Sequence, residues 1–220
     1  MCSEWSTRCA RSRWADLQAV AKRAFDLVLA ALALVLLSPV LLVVALWIKL
    51  DSSGPVFFRQ QRVGRHGVPF AIHKFRSMVA DAPLQGGAIT VGADPRITRA
   101  GRWLRHTRVD ELPQLIDVLA GHMSLVGPRP EVPEYVALYP AALREQALAV
   151  RPGITSPASL LFIDESAQLA RAADPQREYV EVILPRKLQC AVDYAQRADL
   201  RSDLCVLART VRLLWSRGGA

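Results

Sequence analysis

Two adjacent carboxylates, Asp110 and Glu111, stand in RHTRVDELPQL directly behind a row of arginines, Arg102, Arg105 and Arg108. The plainest reading is helix capping, with Asp110 as N-cap of a helix over 112–119 and Glu111 favoured by its dipole. Carboxylates among several cations near a helix N-terminus also describe a place that binds phosphate. A carboxylate there is expected to have a depressed pKa and to be fully ionised. That suits a nucleophile or a metal ligand and makes a poor general acid. Further cations belong to the same chemistry. Lys74 and Arg76 alternate in HKFRSM, so an extended strand puts both on one face. Arg129 lies between prolines in VGPRPEVPEY, and Arg151 precedes Pro152-Gly153 in VRPGIT; rigid turns of this kind suit arginine as a bidentate anion clamp. Each arginine alone is an ordinary solvated side chain, but the set points to a site for several phosphates. There is no P-loop and no GxGxxG, which disfavours ordinary nucleotide hydrolysis and dinucleotide redox chemistry. Cys2, Cys9, Cys190 and Cys205, with His66, His73, His106 and His122, show no zinc-ligand spacing.

The elements that must hold these residues are unevenly composed. The 220 residues suffice for one domain with a small appendage. Hydrophobic residues make up 51%, yet the formal charge is +8, a pairing that argues against disorder. Residues 1–108 hold 16 basic and 6 acidic side chains, and residues 109–220 hold 12 and 14. A basic half beside a near-neutral half faces something anionic: nucleic acid, a phospholipid leaflet or a phosphorylated substrate.

Much of the apolar excess sits in Leu27–Ile48, a run of 22 residues without a charge and long enough to cross a bilayer as a helix. Ser38-Pro39 interrupts it at the middle, where proline removes a donor and crowds the carbonyl of Val35. Arg8, Arg11, Arg13, Lys22 and Arg23 precede the run, and Lys49, Arg59, Arg62 and Arg65 follow it. Both flanks thus claim the cytoplasmic side under the positive-inside rule. A hairpin of two half-helices, each about 16 Å long, satisfies both flanks. A kinked spanning helix remains the alternative. Downstream, VFFRQQRVG and VPFAIHKFR flank Gly64–Gly67 and read as a β-hairpin. Residues 83–95 read as a mobile loop, and 176–196 and 199–216 as helices. The last carries Leu200, Leu204, Leu207, Val211 and Leu214 on one stripe, read chiefly as core.

Taken in order, KRAFDLVLA…LLSPV, IKLDSSGPVFFRQQRVG, KFRSM, RVDELPQLIDVLAGHMSLVGPRPEVPEY and RPGIT resemble the monotopic polyprenyl-phosphate phosphoglycosyl transferases, the bacterial sugar transferase family in its small catalytic-core form. The resemblance implies an α+β, mostly helical fold. Residues 1–22 would be an interfacial or unstructured segment, 23–50 a re-entrant membrane helix broken at Ser38-Pro39, and 51–220 a cytoplasmic catalytic domain with a small β-hairpin and several amphipathic helices. It implies a monotopic enzyme on the cytoplasmic face of the bacterial inner membrane. That enzyme transfers a phospho-sugar from a UDP-sugar to undecaprenyl phosphate in glycoconjugate assembly. Asp110 would attack the donor, expel UMP and carry a covalent phospho-sugar. Glu111 would assist through Mg²⁺, shared with Asp110, or as a base. Lys74, Arg76, Arg105, Arg129 and Arg151 match the family's phosphate-contacting positions. A second copy of the chain as partner is left open. A membrane-anchored, basic nucleic-acid-binding module is the alternative from another class. Two residues depart from the family pattern near the site: His122 stands where an acid is usual and Asp117 where Asn is common. After RPGIT the chain reads SPASLLFIDES in place of the frequent GWAQVNG type.

Overall fold

A computed structural model describes residues 2–85 and 89–218, with side chains described over 18–82, 85 and 89–216. It opens on α1 (Cys2–Asp51), followed by strands β1 (Phe57–Val63) and β2 (Pro69–Phe75). Then come α2 (Ala82–Gln85), α3 (Arg99–Thr107), α4 (Gln114–Leu119), β3 (Ser124–Val126), α5 (Pro133–Val136), α6 (Ala141–Ala147) and β4 (Gly153–Thr155). The chain closes with α7 (Pro157–Leu161), α8 (Glu165–Leu169), α9 (Pro175–Glu178), α10 (Leu184–Arg197) and α11 (Leu200–Gly218). The architecture is α+β and mostly helical.

Ser38-Pro39, where a break is expected, lies inside α1. Helical structure runs through both residues. Proline at 39 deprives the Val35 carbonyl of its i+4 donor, and the Ser38 hydroxyl donates to that same carbonyl at 2.8 Å. With the orphaned acceptor satisfied, the helix continues. Both arms of α1 nevertheless pack on one body. Phe25, Leu29, Ala30, Ala33 and Leu34 meet Leu115, Val118 and Met123, whereas Val44 and Ile48 meet Phe75 and Leu104. The opposite face is apolar and bare, with Val28, Val35, Leu36, Leu42, Val43, Leu46 and Leu50 each more than 60% exposed. α1 is long and apolar enough to cross a membrane.

The N-terminal arm is also pinned by polar contacts. The Asp26 carboxylate accepts from Ser124 Oγ at 2.7 Å and from the Leu125 backbone N–H at 3.3 Å. Lys22 donates to the Val126 carbonyl at 3.2 Å and pairs with Asp203, which also accepts from the Tyr194 hydroxyl at 2.7 Å. Being drawn inward, Asp203 rotates α11 from the expected register. Val206 is buried and Leu207 packs against the core, while Leu204 and Val211, expected inside, are 48% and 62% exposed.

β1 and β2 pair antiparallel from Phe57↔Phe75 to Val63↔Pro69. Their turn uses left-handed His66 and Gly67. β3 and β4 form a short parallel pair, packed so closely that a Cβ on Gly153 would fall 2.0 Å from the Gly127 nitrogen. In the 83–95 loop, Gly86 and Gly87 lie outside the described residues, and its start is the short helix α2.

Candidate active site

Asp110 and Glu111 sit in a 3₁₀ turn, Val109–Glu111, between α3 and α4. The turn is entered through Arg108, whose backbone is left-handed (φ 60°), a conformation uncommon for arginine. Asp110 is therefore not an N-cap as first read. α4 begins behind Pro113, with no side-chain cap. Freed from capping, both carboxylates turn inward and are almost fully buried, at 5% and 7% exposure.

Their partners divide unequally. Glu111 is clamped bidentately by Arg129, at 3.0 Å from Nη1 to Oε2 and 2.5 Å from Nη2 to Oε1, and it receives Lys74 Nζ at 2.8 Å. Arg108 stands 3.9 Å off. Among the described residues Asp110 forms an ion pair with Lys74 alone, at 3.6 Å, and its Oδ1 is buried without a hydrogen-bond partner. The two acids consequently differ in strength. Burial pushes the Asp110 carboxyl above the ordinary range, only partly countered by Lys74, and the neighbouring Glu111 charge adds to the rise. Burial works against Glu111 as well, but Arg129 and Lys74 outweigh it and hold that carboxyl well below the usual value. The expectation of a depressed Asp110 is thus reversed, because the cations expected around it serve Glu111.

Two of the five basic candidates, Lys74 and Arg129, converge on the carboxylates. Lys74 extends the β2 face that buries Phe70 and Ile72, and the close β3–β4 pairing sets the loop that carries Arg129. Arg105 Nη2 donates to Thr90 Oγ1 at 3.0 Å. Its Nη1 is buried without a partner, and its charge reaches Asp110. Arg76 lies elsewhere. β2 ends at Phe75, and the guanidinium turns to the C-terminal end of α1, donating to the carbonyls of Ser52 at 2.7 Å and Ser53. It caps a helix and does not join Lys74. Arg151 is likewise apart, its Nε donating to the Gly121 carbonyl at 3.0 Å beyond the far end of α4.

Gln114 and Glu131 support the site though the sequence does not single them out, and Asp117, noted above as a departure from the family pattern, joins them. The Gln114 amide nitrogen, behind Asp110 in the same turn-helix unit, is buried and unpartnered. Asp117, fully buried, accepts from the His73 backbone N–H at 2.8 Å and holds its Nδ1 at 2.7 Å, fixing the strand residue before Lys74. Behind Arg129, Glu131 accepts from the Tyr179 hydroxyl at 3.0 Å and lies 3.8 Å from Arg62 and 3.7 Å from Lys187. Only the position of Glu131 in PRPE hinted at this support; the other partners come from remote chain. Among the described residues no group of three His, Cys, Asp or Glu gathers as a metal site. A hard cation held by one or two carboxylates plus phosphate oxygens would find an available oxygen on Asp110, whereas those of Glu111 are taken.

The bacterial sugar transferase family model matches residues 17–217. An undecaprenyl-phosphate glucose phosphotransferase of Komagataeibacter xylinus is 49% identical over 150 residues, covering 66% of this chain and 28% of that protein. The UDP-glucose:undecaprenyl-phosphate glucose-1-phosphate transferase of Caulobacter vibrioides is 40% identical over 201 residues, covering 90% of this chain and 71% of the relative. A UDP-N-acetylgalactosamine-undecaprenyl-phosphate N-acetylgalactosaminephosphotransferase of Aeromonas hydrophila is 35% identical over 201 residues, with 90% and 44% covered. The chain spans less than half the length of two of these relatives and about seven tenths of the third. With nearly its whole length matched, from the polar anchor on α1 to the end of α11, the chain belongs to the bacterial sugar transferase family, a family of phosphoglycosyl transferases.

Proposed function

We propose that this chain transfers a sugar phosphate from a UDP-hexose to undecaprenyl phosphate, with Asp110 as nucleophile. The observation that carries the reading is the asymmetry of the acid pair. Glu111 is immobilised by Arg129 and Lys74, and Asp110 keeps a buried, unpartnered oxygen. In the first half-reaction an Asp110 oxygen attacks the β-phosphorus, the bond to the bridging oxygen breaks, and UMP leaves with the electron pair. In the second, an undecaprenyl phosphate oxygen attacks the same phosphorus and the aspartate oxygen departs as carboxylate. Phosphoryl transfer needs mainly positioning and charge neutralisation, for which Lys74 and the unpartnered Arg105 Nη1 are suited. Mg²⁺, when bound, would neutralise diphosphate charge, with the Asp110 carboxylate as its protein ligand. The depressed Glu111 acts here as an electrostatic anchor for Lys74 and Arg129 and not as a base.

The membrane arrangement belongs to the same reading. Both arms of α1 pack on one catalytic body, and its bare apolar face suits a monotopic insertion from the cytoplasmic side of the inner membrane. The donor assay is UMP release from labelled UDP-glucose and UDP-N-acetylgalactosamine, with mass spectrometry of the protein for a phospho-sugar adduct. Adduct and UMP are expected from the wild type, and neither from Asp110→Asn. Undiminished turnover in that variant overturns the nucleophile assignment.

A further inference from the structure

Beyond the end of α4 farthest from Asp110, three arginines gather from three parts of the chain. Arg23 on α1 donates to the carbonyls of Val118 at 2.8 Å and Met123 at 3.2 Å. Arg151 donates through Nε to Gly121, and Arg65 through Nε to the Ala149 carbonyl at 2.9 Å. Arg23 Nη2 lies 3.6 Å from where a Cβ of Gly121 would sit, so Arg23 and Arg151 flank the same residue. The charges of both Arg23 and Arg65 reach Arg151. Among the described residues none of the three is paired with a carboxylate. Asp26, the acid whose charge reaches Arg151, is buried and spent on Ser124 and Lys22.

Capping of α4 accounts for the contacts of Arg23 and for one nitrogen of Arg151. It does not account for a third guanidinium, nor for the terminal nitrogens of Arg65 and Arg151, which make no hydrogen bond among the described residues. Like charges held together without a counter-ion repel one another, and guanidinium forks match phosphate geometry. Their height on the molecule suggests which phosphate. Arg23 is four residues, about 6 Å of helix, before the apolar run begins. Nearby, Val28 and Leu32 on α1 and Ile116 and Leu119 on α4 present apolar side chains to the outside, 38–68% exposed.

We propose that Arg23, Arg65 and Arg151 form a second phosphate site, separate from Asp110, that holds the headgroup of an anionic phospholipid of the surrounding leaflet. Basic pockets beside membrane segments take such headgroups, and the exposed side chains of α1 and α4 offer the acyl chains an apolar surface. The inference rests on the reading that the bare face of α1 lies in lipid.

The test is native mass spectrometry of the full-length protein in detergent, with phosphatidylglycerol or phosphatidylcholine added. Wild type is expected to retain phosphatidylglycerol at least threefold better than phosphatidylcholine. Arg65→Gln, whose side chain is exposed, should lower that preference, and Arg65→Gln with Arg151→Gln should abolish it. The exposed control Arg197→Gln should keep it, with all variants unchanged in circular dichroism. If Arg151→Gln disturbs folding, Arg65→Gln alone decides. Equal retention of both lipids, or retention indifferent to Arg65→Gln, overturns the site. Displacement of phosphatidylglycerol by millimolar inorganic phosphate, or by equimolar undecaprenyl phosphate, overturns the assignment to phospholipid. A wild type that retains no lipid at all overturns the membrane reading of α1 along with the site.

Discussion

At the scale of single residues, the site is organised by the unequal sharing of its cations. In the proposed mechanism Asp110 attacks in its ionised form, and burial raises its carboxyl, so the acid limb of UMP release should lie above the ordinary aspartate value of about 3.9. Lys74→Met removes its nearest countercharge and should move that limb further up, read from kcat/KM against pH. Arg129→Ala leaves a buried carboxylate without its clamp and should cost about 3–5 kcal/mol, measured by thermal unfolding in detergent. Stability should also depend on pH through both acids, with opposite signs. Glu111 is depressed in the fold, so its contribution is present above the unfolded value of about 4.5 and is lost as pH falls towards the folded one. Asp110 is raised, so its contribution is present below about pH 3.9 and is lost as pH rises through the folded value. A Glu111→Gln variant should accordingly lose the acid-side decline that depends on the carboxylate.

At the scale of elements, the catalytic turn depends on where α3 and α1 are seated. Gly101 on α3 lies so close to the chain after β2 that a Cβ would fall 1.9 Å from the Ser77 carbonyl oxygen. Gly101→Ala must therefore displace α3 and should destabilise by about 3 kcal/mol or more, above the usual cost of overpacking. Asp26→Ala releases α1 from β3, leaving the Ser124 hydroxyl and the Leu125 N–H without that acceptor, for about 1–3 kcal/mol. Both changes are read by thermal unfolding, and both should lower activity without touching Asp110.

At the scale of the whole molecule, one body carries both arms of α1, and the proposed monotopic placement follows from that. In a cysteine-free background, Gln18→Cys and Ser53→Cys should be labelled by an impermeant maleimide from the same side of sealed vesicles. Labelling from opposite sides would refute the monotopic reading. The excess of positive charge in the first half is also sorted at this scale. Lys74 serves the acid pair, Arg76 caps α1, and Arg23 and Arg65 join Arg151 beyond the end of α4.

Local pattern made the elements legible: the apolar run of α1, the alternating β1 and β2 around their turn, and Asp110-Glu111 as adjacent acids among cations. These follow from periodicity, turn chemistry and side-chain type, which neighbours in sequence suffice to express. Tertiary structure decided which acid is held and which is free, because Arg129 and Lys74 arrive from other elements and choose Glu111. It also turned Arg76 to the end of α1 and Arg151 to the end of α4, away from the acid pair, and carried helical structure through Pro39, where a nearby hydroxyl meets the orphaned carbonyl. Sequence by itself determined the kinds of groups and the elements that carry them. Their pairing, and with it the charge state of Asp110, is a property of distance and burial, which only the packed chain fixes.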